Sequence, residues 1–196
     1  MVETITPVVH GEGRTAYRWS LALHIFGAGT AAAALGGVLG SLGALTGAPW
    51  GAPGLFVLAT IAALYALRES AGAPVPLPAR RAQVPSWWRT FFSPPVAGLL
   101  YGLALGVGFL TYLSFGTFVA VAAAAALGGD PLVGAALCAP FGVGRGLAVA
   151  WANRGPGDDP GTTVAHLGDL ALGRSPRLLN AAALAAVTGT ALVASI

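Results

Sequence analysis

The chain is short of charge. Of its 196 residues only 9% are Asp, Glu, Lys or Arg, against roughly 25% in a soluble domain. So little ionic surface cannot cover a body that faces water, which excludes an ordinary soluble globule and makes a lipid bilayer the expected solvent. Lysine is absent altogether, and ten arginines against seven acids give a net charge of +3. Spread between apolar runs, those arginines form no basic stripe, so nucleic acid is not an expected partner. The single cysteine, Cys138, excludes an internal disulfide and a multi-thiolate metal centre. There is no phosphate loop, no HExxH, no CxxC and no nucleophile elbow. "GLALGVGF", residues 102–109, follows no credible strand, so it is no dinucleotide fingerprint. The sequence therefore leans away from an enzyme, and no metal or cofactor is expected. No cleavable signal peptide stands out, because the run after Arg18 is too long for a signal core.

What the chain has instead is hydrocarbon and glycine. Hydrophobic residues make up 56% of it and glycines number 29; the mean hydropathy is +0.75. A polar tail, residues 1–17 with Glu3, His10, Glu12 and Arg14, precedes a first apolar run from Arg18 to Thr46. "GAPWGAP", residues 47–53, reads as a turn. The second run ends at Arg68-Glu69, and a loop rich in Pro and Arg covers 70–92, where Trp87 and Trp88 beside Arg89 suit a membrane interface. The third run, Pro95 to Leu127, holds no charge. As one helix it would be roughly 50 Å long, too long for one upright crossing and too short for two with a turn. One tilted or broken span is expected, with breaks at Gly106–Gly108 and Ser114–Gly116. After a turn at Gly128–Pro131, the fourth run holds Cys138, Pro140 and Arg145 and ends at Trp151. A polar loop over 152–175 carries Arg154, Asp158, Asp159, His166 and Asp169, and Pro176–Ile196 forms the fifth run.

These runs predict an all-α polytopic bundle of five spans, with six left open, in one transmembrane domain over 18–196. The order of run, Gly/Pro turn, run ending near an arginine, polar loop and Ser-Pro occurs twice, which suggests duplicated halves over 18–92 and 93–196. Pro53 stands fifteen residues before Arg68, and Pro131 fourteen before Arg145. With five spans and a cytoplasmic N-terminus, Arg14, Arg18, Arg68, Arg80, Arg81, Arg89, Arg154 and Arg174 fall on the cytoplasmic side. The expected location is the cell membrane.

Several residues could carry function. Gly29, Gly36, Gly40, Gly43 and Gly47 share one helix face, and Gly98, Gly102 and Gly106 recur every four residues; such stripes let backbones approach closely. His24 lies inside the first span, either as a satisfied core histidine or as a proton carrier or ligand. His10 and His166 lie in polar segments, which weakens a haem pair. Arg145 either anchors at the interface or lines a polar cavity, where it binds an anion or pairs with Glu69. Arg68 and Glu69 read as interfacial charges, and being adjacent on a helix they make no automatic salt bridge. Asp130 reads as a turn residue and Cys138 as a small buried apolar one. Tyr101, Thr111, Tyr112, Ser114 and Thr117 place hydroxyls around Gly106, Gly108 and Gly116, where exposed carbonyls are tolerated only beside protein or a cavity.

"LYGLALGVGFLTYLSFGTFVAV", residues 100–121, resembles the broken helices of the CcdA/DsbD-type membrane proteins, within the broader LysE-type transporter grouping. The resemblance implies two related halves and a functional site at the helix break. It departs at the thiols: the comparable position here is Thr111-Tyr112, and Cys138 stands in the following span, so a dithiol relay is not implied. The first expectation is transport of a small solute or ion between the halves, along a path lined by His24, Tyr101, Gly106, Gly108, Thr111, Ser114, Gly116 and Arg145. The second is a non-catalytic membrane subunit that docks a larger complex. Lipid, further copies of the chain and other membrane subunits are the expected partners.

Overall fold

The computed structural model describes residues 14–78, 87–108, 113, 115–152 and 173–196. Among these the architecture is all-helical: α1 Arg14–Leu45, α2 Gly51–Ala71, the single turn α3 Trp88–Phe91, α4 Pro94–Gly106, α5 Thr117–Gly128, α6 Pro131–Ala152 and α7 Arg174–Ala194. Helix is what such runs must form in lipid, because it satisfies every backbone N–H and C=O within the segment. Four helices, at Thr15–Leu45, Gly51–Ala71, Pro131–Ala150 and Arg174–Ala194, are long and apolar enough to cross a membrane. Their large side chains point outward: Phe26, Leu45, Phe56, Leu132, Leu179 and Val193 are all exposed. Such a surface is compatible with a multi-pass membrane protein and would be a liability in water.

The expected five spans become four long helices plus two short ones. The third run is interrupted, giving α4 with 13 residues and α5 with 12. Each is about 20 Å long, short of the roughly 30 Å of a hydrocarbon core. The interruption begins where the glycines fall: α4 ends at Gly106, and Gly108 has φ +73°, a left-handed conformation that a side chain resists. Two other boundaries shift. Residues 14–17, expected as part of the polar tail, already lie in α1. The turn expected over 47–53 closes by Trp50, because Pro53 sits in the first turn of α2, where its missing N–H costs nothing.

The described chain packs as two compact units. In the first, the described residues 14–32 combine with 87–108 and 139–152. Here Gly98, Gly102 and Gly106 of α4 face the carbonyls of Ser20, His24 and Ala28 of α1; a Cβ added at these glycines would fall 2.7, 2.1 and 2.2 Å from those oxygens. From α6, Gly142 and Gly146 approach Ala28 and Ile25. Three backbones are thus in contact along one stretch of α1, which no residue larger than glycine permits.

In the second unit, the described residues 33–78 combine with 113, 115–138 and 173–196. Its core is Ala62, Tyr65, Ala120 and Leu184, with Val75 and Leu77 packed over it from the segment after α2. Gly36 and Gly134 face each other's carbonyls, so a Cβ on either would fall about 2 Å from the opposite oxygen (2.1 and 2.2 Å). Asp130 caps α6: its Oδ1 accepts the backbone N–H groups of Leu132 (2.7 Å) and Val133 (2.9 Å), the expected satisfaction of a helix start.

Candidate functional site

Interrupting a helix leaves unpaired carbonyls at one new end and unpaired N–H groups at the other. At membrane depth each unsatisfied group costs several kcal/mol. Two charged side chains, Arg145 and Glu69, reach those ends.

In the first unit, Arg145 of α6 donates from Nη1 to the carbonyl of Leu105 at 3.0 Å. Leu105 lies in the last turn of α4, so a guanidinium sits at the negative end of the helix dipole. The same oxygen accepts the Gly108 N–H at 3.2 Å, closing the turn. The Arg145 side chain passes the Phe141 ring, with its Cζ 5.8 Å from the centroid. In this apolar stretch the guanidinium thus shares a helix-end carbonyl with the Gly108 N–H.

In the second unit, Glu69 acts at the opposite kind of end. Its Oε1 accepts the backbone N–H of Gly116 at 3.1 Å, and Gly116 is the residue before α5. The carboxylate thus caps an N-terminus from another helix. Glu69 is buried within the protein, its side chain 2% exposed, whereas that of Arg68 is 28% exposed. The two are paired, with Arg68 Nη1 2.6 Å from Glu69 Oε1. Adjacent residues manage this because α2 ends at Ala71, two residues after Glu69, and is capped by Gly72 (φ +72°). The long arginine folds around the free end, where its Nε also donates to Val75 O at 3.0 Å. Tyr65 completes the arrangement, its hydroxyl donating to Pro76 O at 2.8 Å. A Cβ on Gly116 would strike the Tyr65 ring at 2.3 Å, so this glycine is needed for contact.

Thr117, the first residue of α5, donates its hydroxyl to Asn180 Oδ1 of α7. The Asn180 amide in turn donates to Pro176 O at 2.8 Å. Asn180 did not stand out in the sequence; a lone amide four residues after a proline in an apolar run was the available signal.

The remaining sequence candidates are placed as follows. Tyr101 is buried in α4 and packs against Trp88 with ring centroids 5.6 Å apart. Trp87 lies edge-on to Trp88 (6.3 Å) and Phe91 (5.6 Å). Gly106 makes the close contact with α1 described above, and Gly108 makes the left-handed turn. His24 is fully buried, with Nδ1 3.2 Å from Gly98 O. Cys138 is buried, as its residue type suggests. Thr111, Tyr112, Ser114, His10, His166, Glu3, Glu12, Arg80, Arg81, Arg154, Asp158, Asp159 and Asp169 lie outside the described residues.

The chain is similar to proteins named methylamine utilization protein MauF. That of Paracoccus versutus is 41% identical over 133 residues, covering 67% of this chain and 48% of the relative. That of Paracoccus denitrificans is 38% identical over 132 residues, with the same two shares, 67% and 48%. That of Methylophilus methylotrophus is 39% identical over 128 residues, 65% of this chain and 45% of the relative. The chain thus spans about half the length of the curated relatives it matches. No family model and no solved structure matches it. These relatives correct the CcdA/DsbD and LysE-type resemblance. The glycine-rich stretch that carried it arises wherever helix backbones meet in lipid, and the proteins that do match bear a different name.

Proposed function

We propose that this chain is a membrane-embedded accessory protein of a methylamine-utilisation system, acting by holding or docking other proteins rather than by moving a solute. The observation that carries this reading is the similarity to MauF proteins at 38–41% identity over about two thirds of the chain. The polar geometry supports it: the carboxylate of Glu69 is committed to Arg68 and to the Gly116 N–H, a fixed cap. Outward-facing apolar side chains on all four long helices offer lipid and partner spans the same kind of surface. The test is genetic. Deleting the coding region in its source organism should abolish or slow growth on methylamine as sole nitrogen source, and the intact chain should restore it. Unchanged growth sinks the reading.

The reading includes a topology. We take α4 and α5 as one interrupted crossing, which gives five crossings and places the two termini on opposite faces, with the N-terminus in the cytoplasm as the arginine distribution favours. A phosphatase reporter fused after Ile196 should be active outside the cytoplasm. A fusion active only in the cytoplasm overturns the five-crossing arrangement.

A further inference from the structure

The segment after α2, "GAPVPLP" over residues 72–78, carries a proline at every second position: Pro74, Pro76 and Pro78. Ala73, Val75 and Leu77 each precede a proline, which biases them to extended backbone. Burial follows the alternation of an extended chain. Ala73, Val75 and Leu77 are half-buried, and the three prolines are exposed. Val75 and Leu77 pack on the core of Ala62, Tyr65, Ala120 and Leu184, so the segment lies as a strap over side chains from α2, α5 and α7. Proline has no N–H to offer, and the strap is held by its carbonyls instead. Arg68 Nε donates to Val75 O at 3.0 Å, and the Tyr65 hydroxyl donates to Pro76 O at 2.8 Å. The same guanidinium donates from Nη1 to Glu69 Oε1 at 2.6 Å, and that oxygen accepts the Gly116 N–H at 3.1 Å. A continuous line of bonds thus runs from the strap, through one arginine and one carboxylate, to the start of α5. Its middle is under constraint, because a buried carboxylate that loses its counter-charge is strongly disfavoured. When the strap lifts, Arg68 loses Val75 O and is free to turn outward, and Glu69 is drawn off the Gly116 N–H with it.

We propose that the strap is what fixes the Glu69 cap: residues 72–78 and the start of α5 form one cooperative unit that opens and closes together, with Arg68 as the joint. Stiffened by its prolines, the strap passes a displacement at its exposed side on to Gly116 rather than absorbing it. This coupling is independent of the accessory role proposed above and stands whether or not that role does.

The test is hydrogen exchange at single amides, on the full chain in lipid nanodiscs, for the wild type, Tyr65→Phe and Pro76→Gly. Neither substitution removes a bond made at Gly116. Tyr65→Phe deletes the hydroxyl that holds the strap and keeps the ring that packs on Gly116. Pro76→Gly loosens the strap from its exposed side and keeps the carbonyl. In both variants the Gly116 amide should exchange about two- to tenfold faster, the weight of roughly one hydrogen bond, while amides inside α4, in the other unit, keep their wild-type rates. An unchanged rate at Gly116 in either variant overturns the proposal, because the cap then stands without the strap. So does a rise at Gly116 that is matched in α4, which marks a general loosening of the protein.

Discussion

Glu69 is the residue on which one end of the interrupted helix depends, and its two bonds respond differently to substitution. Glu69→Gln keeps an oxygen that can accept from both Gly116 N–H and Arg68. Glu69→Leu keeps the bulk and leaves that buried N–H without an acceptor, a loss of about 1–3 kcal/mol. Thermal unfolding of the purified protein in detergent should therefore rank wild type at or above Glu69→Gln, with Glu69→Leu clearly lowest. Equal melting temperatures for Gln and Leu contradict the capping role. The sequence marked Glu69 and Arg145 as worth notice, because charge is so rare here. It did not assign their partners, since a carboxylate that caps a backbone N–H 47 residues away leaves no local pattern. Arg68 shows the same limit from the other side: helix spacing argued against pairing with its neighbour, and the helix end at Gly72 removed the constraint on which that argument rested.

Among elements, glycine placement decides which helices touch. The four-residue spacing of Gly98, Gly102 and Gly106 was legible, and each now faces a carbonyl four residues further along α1. The partner helix was not legible, because a glycine stripe says that something comes close without saying what. The contrast between glycines is testable. A methyl at Gly102 would lie 2.1 Å from His24 O, whereas one at Gly189 of α7 meets nothing within 4 Å. Gly102→Ala should destabilise by about 1–3 kcal/mol through overpacking of backbone against backbone. Gly189→Ala should be neutral or stabilise by up to about 1 kcal/mol, as alanine does in an open helix position. Chemical or thermal unfolding of the two variants checks both signs, and a tolerated Gly102→Ala rules out the close α1–α4 contact. The interrupted third run was partly legible too. Its length excluded a simple crossing and its glycines marked the weak points, but only the structure divides it into two short helices with charges at their ends.

For the whole molecule, scarcity of charge is the most informative property of the sequence. With 9% charged residues and large apolar side chains exposed on four long helices, the molecule is suited to lipid. Which biological task it serves was not legible. Glycine stripes and broken helices belong to lipid packing in general, so they drew the transporter-like comparison that the MauF relatives overturn. The central claim is that this chain works by holding other proteins. Its most direct test is quantitative mass spectrometry of the tagged chain, purified in a mild detergent from membranes of methylamine-grown cells. The account expects another protein at a constant molar ratio across independent preparations; recovery of the chain alone, or only with further copies of itself, would contradict it.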